Sequence, residues 1–224
     1  MRLRQRPRPR LRPRPKPKRR PTTKSRRLSK PPLVGLTGGL GAGKSTALAA
    51  LEHLGAATLS TDAVVHDLYR SDEVRDLVLE RWGPEVAPDG EVDRSAIAAR
   101  AFATPEDRAW LEGILWPRVG ERIAEFCKAG HAADPPPRAL VVETPLLFEA
   151  GMEALYDATI AVVADEGLRA ERAGARGHAA VDERHARQLS QDDKAARATY
   201  TVVNDGSPED LERALSEVLV KLGR

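Results

Sequence analysis

From Leu33 onward, short apolar runs alternate with longer stretches in which apolar residues recur every three or four positions. Leu33–Thr37 has the continuous apolar character of a buried parallel strand. Ala47, Leu48, Leu51 and Leu54 are spaced for a helix over Gly43–Leu54, which Gly55 stops. A second short strand is expected over Ala56–Leu59, followed by a helix over Ala63–Tyr69. Residues 71–130 are mostly helical in pattern: Val74, Leu77, Val78 and Trp82 form one stripe, and Ser95–Phe102 and Pro105–Lys128 form further segments. Thr104-Pro105-Glu106-Asp107 reads as an N-cap, a first-turn proline and an acidic first turn. His131–Arg138 carries three consecutive prolines and is expected to be a loop. Strands follow over Ala139–Val142, Ala158–Val163 and Tyr200–Val203, with helices over Asp165–Ala175, Asp182–Thr199 and Pro208–Leu222. Gly174–Val181 is a loop of small residues between two of those helices. This alternation predicts an α/β fold, a five-stranded parallel sheet with helices on both faces. The long helical excursion between strands two and three reads as a substrate-covering insertion.

Composition adds a division that the pattern does not show. The 224 residues suit one α/β domain, and 41% hydrophobic content is enough for a core. The formal net charge of +3 conceals two unlike parts. Residues 1–30 hold 11 Arg and 4 Lys with no acid, which leaves 21 basic and 33 acidic residues over 31–224, a net of −12. Residues 1–32 alternate Arg or Lys with Pro, contain almost nothing to bury, and are expected to be disordered and extended. They lack the apolar segment of a secretory signal, and their proline content prevents the amphipathic helix of an organelle transit peptide. Three readings of this tail stay open: non-specific binding to a polyanion such as nucleic acid, a solvated extension, or an artefact of where translation is taken to start. A folded part at −12 with few aromatics is a poor general nucleic-acid binder. No apolar run approaches the roughly 20 residues of a membrane span. One cysteine, Cys127, fits a reducing compartment, and the expected location is the cytoplasm.

The sharpest chemical signal lies where the first strand meets the first helix. Gly38–Ser45 match the phosphate-loop pattern G-x-x-x-x-G-K-[ST]. A triphosphate needs several backbone N–H groups turned inward, and glycine allows the tight bend and close approach. The N-terminus of the following helix adds a positive dipole end. Candidate nucleotide-binding residues are therefore Gly39, Gly41, Ala42, Gly43, Lys44, Ser45 and Thr46, with Lys44 reaching the β- and γ-phosphates and Ser45 ligating Mg²⁺. Two acids stand at strand ends, where ligands bind in open α/β sheets: Asp62 after strand two and Glu143 after strand three. No Asn/Thr-Lys-x-Asp base-reading motif is present, which argues against a GTPase, and the chain is short for a motor ATPase.

These features resemble the dephospho-coenzyme A kinases. The resemblance is carried by the T-G-G-x-G-x-G-K-S-T loop (Thr37–Thr46), Asp62, the run Pro145-Leu146-Leu147-Phe148-Glu149, Arg172 and Arg176, the Arg184…Gln188…Lys194 segment, and Val203-Asn204-Asp205-Gly206. It spans about Val34 to Leu222 and none of the tail; the Pro145–Glu149 run is its most discriminating piece. It implies a P-loop kinase fold with a lid at about 174–184. It also implies transfer of the ATP γ-phosphoryl group to the ribose 3′-hydroxyl of dephospho-coenzyme A. On that reading Asp62 accepts or orients the hydroxyl proton, and Mg²⁺ is held by Ser45 with help from Glu143. The lid arginines neutralise charge on the transferring group, with Arg176 first among them, and adenine lies near Asn204.

Plainer readings stand beside these. Asp62 could be a helix N-cap, Glu143 a surface acid, the arginines solvated charges, and Asn204-Asp205-Gly206 a simple turn. Another P-loop nucleotide or small-molecule kinase is an alternative function. The chain also departs from the family. Ser60 and His66 stand where an acid and an arginine are common, Glu143 where Asp is usual, and Trp116-Pro117 where a His-Pro pair is expected. Trp116 is either core or a stacking partner for adenine or pantetheine. The segment between Arg176 and Arg184 is shorter than the family's lid.

Overall fold

The computed structural model describes residues 30–174 and 188–223. Its elements in chain order are β1 (Leu33–Gly38), α1 (Lys44–His53), β2 (Ala57–Ser60), α2 (Thr61–Arg70), α3 (Asp72–Trp82), α4 (Arg94–Ala101), α5 (Pro105–Ala132), β3 (Leu140–Glu143), β4 (Ala158–Val163), α6 (Glu166–Gly174), α7 (Gln191–Arg197), β5 (Tyr200–Val203) and α8 (Pro208–Leu222). The five strands are parallel in the order β2-β3-β1-β4-β5. The chain leaves β1 toward one edge and later returns to its other side. A crevice therefore opens at the carboxyl end of β1, where the glycine-rich loop begins.

Side chains alternate across the sheet and sort the helices. Val34, Leu36, Val141, Ile160, Val162 and Val202 face α1 and α8 in one buried cluster, which Ala47, Leu51, Leu211, Leu215, Val218 and Leu219 close. The opposite face is met at Gly35 by Leu147 and Tyr156, and at Gly130 of α5 by Leu140. A second cluster lies inside the helical excursion, where Val64 and Leu68 of α2 pack with Val74, Val78, Ile97, Leu111 and Leu115. The insertion thus has a core of its own, anchored through α2.

Local stops follow their sequence signals. At the end of α1 the Gly55 N–H bonds the Glu52 carbonyl and the Ala56 N–H bonds the Leu51 carbonyl, with Gly55 at φ +90°. This pair of bonds needs a left-handed residue. Thr104 caps α5 by accepting the Asp107 N–H at 3.0 Å, and Ser207 with Asp210 forms a reciprocal capping box on α8.

Several boundaries differ from expectation. Packed chain begins at Pro31, which is buried, and the Pro32 carbonyl accepts the Leu140 N–H at 2.8 Å. Helix α5 continues to Ala132 rather than ending at Lys128. The helix expected over Asp182–Thr199 is not continuous: Gln188–Ser190 are not helical, and α7 starts at Gln191 under a Ser190 cap that accepts the Asp193 N–H at 3.0 Å. Residues 1–29 of the basic tail lie outside the described residues, as do Arg176, Arg184 and most of the small-residue loop. Among the described residues no helix is long and apolar enough to cross a membrane.

Candidate active site

The loop joining β1 to α1 has the backbone that its glycines predict. Gly41 sits at φ +71° and Gly43 at φ +91°, in the left-handed region. Close packing adds a second demand: a Cβ on Gly39 or Gly41 would run into Arg169, and one on Gly43 into the Asn204 amide. Lys44 folds back over the loop, its Nζ donating to the Gly38 carbonyl at 3.0 Å and the Gly39 carbonyl at 3.1 Å. Ser45 and Thr46 are exposed in the first turn of α1, and Ala42 is buried beneath them.

Register brings the two strand-end acids toward this loop. Glu143 lies opposite Leu36 of β1 on one side and Ser60 of β2 on the other. It is only 6% exposed, so it is not a surface acid. Burial pushes its carboxyl above the usual range; the Ser60 hydroxyl and the Lys44 charge pull it back, and the Asp62 charge pushes it further up. Lys44, Glu143 and Asp62 therefore share one electrostatic neighbourhood. Asp62 is exposed in the first turn of α2 and is not its N-cap; Ser60 holds that position. The carboxylate is thus open to an incoming hydroxyl. Among the described residues no three of His, Cys, Asp and Glu cluster to hold a metal by themselves.

The opposite flank of the loop is held from α6 and the end of β5. Asn204 is buried, so it is not a solvated turn residue; its Nδ2 donates to the Ala42 carbonyl at 2.9 Å. Arg172 donates from Nη1 to the Asn204 carbonyl at 3.0 Å. Asp205 accepts the Asp165 N–H at 2.6 Å, which pins the turn to the start of α6. Arg169 escaped the sequence reading. Its Nε donates to the Leu40 carbonyl at 3.0 Å, at the tip of the loop. It stands three residues before Arg172, so the same-face spacing that picked out Arg172 and Arg176 also marks it. Gly39, Arg169 and the stretch Gln188–Asp192 line a polar cleft of about 280 Å³. A larger open groove, about 720 Å³ along α1 and α8, contains none of the loop residues and carries no convergent chemistry.

The Pro145–Glu149 run packs behind the loop. Leu147 and Phe148 are buried, and Glu149 pairs with Lys194. Trp116 is not core: it is 62% exposed on α5.

The family model described as Dephospho-CoA kinase matches residues 32–210. The chain belongs to the dephospho-CoA kinase family. A dephospho-CoA kinase of Anaeromyxobacter dehalogenans is 40% identical over 199 residues, covering 85% of this chain and 92% of the relative. One from Deinococcus radiodurans is 39% identical over 195 residues, covering 86% and 93%. Among solved structures, TT1252 from Thermus thermophilus superposes with a TM-score of 0.70 at 36% identity, covering 86% of this chain and 98% of that one. Membership in the dephospho-CoA kinase family covers the whole described sheet and its loop, and the matched stretch ends within α8.

Proposed function

We propose that this chain transfers the γ-phosphoryl group of ATP to the ribose 3′-hydroxyl of dephospho-coenzyme A, giving coenzyme A and ADP, the last step of coenzyme A synthesis. The observation that carries this reading is the phosphate loop with Asp62 and Glu143 at adjacent strand ends, in a chain matched by the family over residues 32–210.

Phosphoryl transfer is mainly positioning and charge stabilisation. The loop N–H groups of Gly39–Thr46 cradle the β- and γ-phosphates. Lys44 exchanges its loop carbonyls for phosphate oxygens, a short move from its 3.0 and 3.1 Å contacts. Mg²⁺ prefers oxygen donors and keeps several waters, and the Ser45 hydroxyl and Glu143 carboxylate are donors of that kind. Two protein donors suit an ion that arrives with the nucleotide, and when bound it neutralises charge on the phosphates. Asp62, exposed and free of a capping duty, takes or orients the proton of the attacking hydroxyl. Arg172, which donates to the Asn204 carbonyl, is assigned with Asn204 to nucleotide binding; Arg176 is assigned to the transferring phosphoryl group from its place in the sequence. The proposed location is the cytoplasm, where ATP and free thiols coexist.

The test is an acceptor panel with ATP and Mg²⁺: dephospho-coenzyme A, nucleoside monophosphates and pantetheine derivatives, with the product phosphate located by ³¹P NMR. ADP release dependent on dephospho-coenzyme A, with a 3′-phosphate in the product, is expected. Turnover of a nucleoside monophosphate without turnover of dephospho-coenzyme A overturns the proposal.

A further inference from the structure

Behind the phosphate loop the fold buries an ion pair that none of the steps above uses. Lys194 of α7 is fully buried, and its Nζ donates to Glu149 Oε1 at 2.9 Å and to the Pro145 carbonyl at 2.7 Å. Glu149 Oε1 also accepts the Leu189 N–H at 2.8 Å, whereas Oε2 is buried with no hydrogen-bond partner among the described residues. The Pro145 carbonyl accepts a second bond, from the Thr37 hydroxyl at 3.2 Å. Desolvation holds the Lys194 ammonium below its ordinary range, and Glu149 pulls it back up. Such a pair is a weak source of net stability, because the cost of removing both charges from water offsets their attraction. Its value here lies in what it joins. Thr37 immediately precedes Gly38, whose carbonyl receives Lys44. Pro145 lies two residues beyond Glu143. Leu189 belongs to the stretch that lines the cleft beside Gly39 and Arg169. Three segments bounding the loop converge on one pair of side chains.

We propose that Glu149 and Lys194 are a positioning pair for phosphoryl transfer, which sets the exit of β3 and the Leu189 stretch against the end of β1 that launches the phosphate loop. Neither side chain reaches the phosphates; both act through Pro145, Thr37 and Leu189. Transfer rates respond steeply to such placement, with about 100-fold lost for a displacement of about 1 Å. A purely structural pair and a positioning pair differ in one respect. When both charges are replaced together by Gln and Met, stability recovers and the Gln oxygen can still accept the Leu189 N–H, but the Lys194 bond that holds Pro145 is not restored.

The proposal rests on the dephospho-coenzyme A kinase reading, so turnover of dephospho-coenzyme A by the unaltered full-length chain is measured first; failure there overturns that reading, not the pair. Then kcat, both KM values and the melting temperature are measured for Lys194→Met, Glu149→Gln, Lys194→Arg and the double variant Glu149→Gln/Lys194→Met. Each charge-stranding single variant is expected to melt lower than the unaltered chain and to turn over more slowly. The double variant is expected to regain most of the melting temperature while kcat stays down by at least about fivefold and the ATP KM holds within about threefold. Lys194→Arg, which keeps charge and donors, is expected to lose less kcat than Lys194→Met. A double variant with kcat within about fivefold of the unaltered chain overturns the proposal. If the double variant does not fold, Thr37→Val decides, because it removes only the hydroxyl bond at the same junction. A fall in kcat of at least about threefold at unchanged melting temperature is expected, and a smaller fall overturns the proposal.

Discussion

Gly43 is one of the loop positions that cannot accept a side chain without displacing a neighbour, and Gly43→Ala tests the loop geometry directly. Its backbone sits at φ +91°, ψ 30°, and an added Cβ would collide with the Asn204 amide that donates to the buried Ala42 carbonyl at 2.9 Å. Two costs of separate origin follow. Holding an L-residue in the left-handed region costs about 1–2 kcal/mol. Displacing the Asn204 amide strands a buried carbonyl, which costs about 1–3 kcal/mol. Gly43→Ala is therefore expected to lose about 2–5 kcal/mol of unfolding free energy. Asn204→Ala alone should lose the hydrogen-bond part. The double variant should lose little more than Gly43→Ala, because the bond is already broken, and the non-additivity should be about 1–3 kcal/mol. Urea unfolding of the nucleotide-free protein measures all four corners of this cycle. Calorimetric titration with ATP should show Gly43→Ala weakened at least about tenfold, the equivalent of one displaced loop contact. Additive losses in the cycle, or a Gly43→Ala protein as stable as its parent, would refute the packing argument.

Other expectations follow from the same site. Lys44→Ala should abolish ADP release with an unchanged circular dichroism spectrum; activity within about tenfold of the parent would remove the lysine from phosphate binding, since a lost contact to a charged group is worth about 1.5–3 kcal/mol. Asp62→Asn should lower kcat by at least about 100-fold while ATP binding stays within about threefold, as befits loss of a general base, and near-normal kcat would remove that assignment. Burial raises the Glu143 carboxyl, so in the metal-free protein its charged form opposes folding. Stability linked to this group is full below the ordinary carboxyl range, about 4.3 for glutamate, and falls as pH rises through the elevated value. Glu143→Gln should therefore stabilise the metal-free protein at pH 7 and give less benefit as pH drops toward that range, read from urea midpoints across pH; a benefit that grows on acidification contradicts the sign. Trp116→Ala should change unfolding free energy by less than about 0.5 kcal/mol, because the ring is 62% exposed, and a larger loss would place it in the core.

Legibility followed how local each signal was. The strands Ala158–Val163 and Tyr200–Val203 and the helix Pro208–Leu222 stand where their apolar pattern puts them, the last marked by Ser207, Pro208 and Asp210. Strands β2 and β3 run one residue further than their apolar runs, because pairing with neighbours continues through polar Ser60 and Glu143. A period of 3.6 could not reveal the break before α7, because the apolar spacing carries no sign of it; the Ser190-x-x-Asp193 cap was the available signal. Lys44 and Ser45 were legible because the loop motif is contiguous. The bond from Asn204 to Ala42 spans 162 positions, and Arg169 meets Leu40 across 129, so neither contact has a local signature. The burial of Lys194 likewise has no local signature: it stands in a helix of charged residues, and its distant partner Glu149 makes burial tolerable.

The strand order explains why one short loop can serve two substrates. Placing β3 between β2 and β1 sets Glu143 between the strand that delivers Asp62 and the strand that launches Lys44. On the proposed mechanism, the metal-facing acid therefore separates the proton acceptor from the phosphate cradle, and the attacking hydroxyl approaches from the β2 edge. On the other side β4 and β5 lead to Arg172 and Asn204, so on the proposed mechanism the nucleotide base lies away from the acceptor. Asp62 keeps an exposed carboxylate on the β2 side, while Glu143, buried between the two strands, feels both the Lys44 and the Asp62 charge.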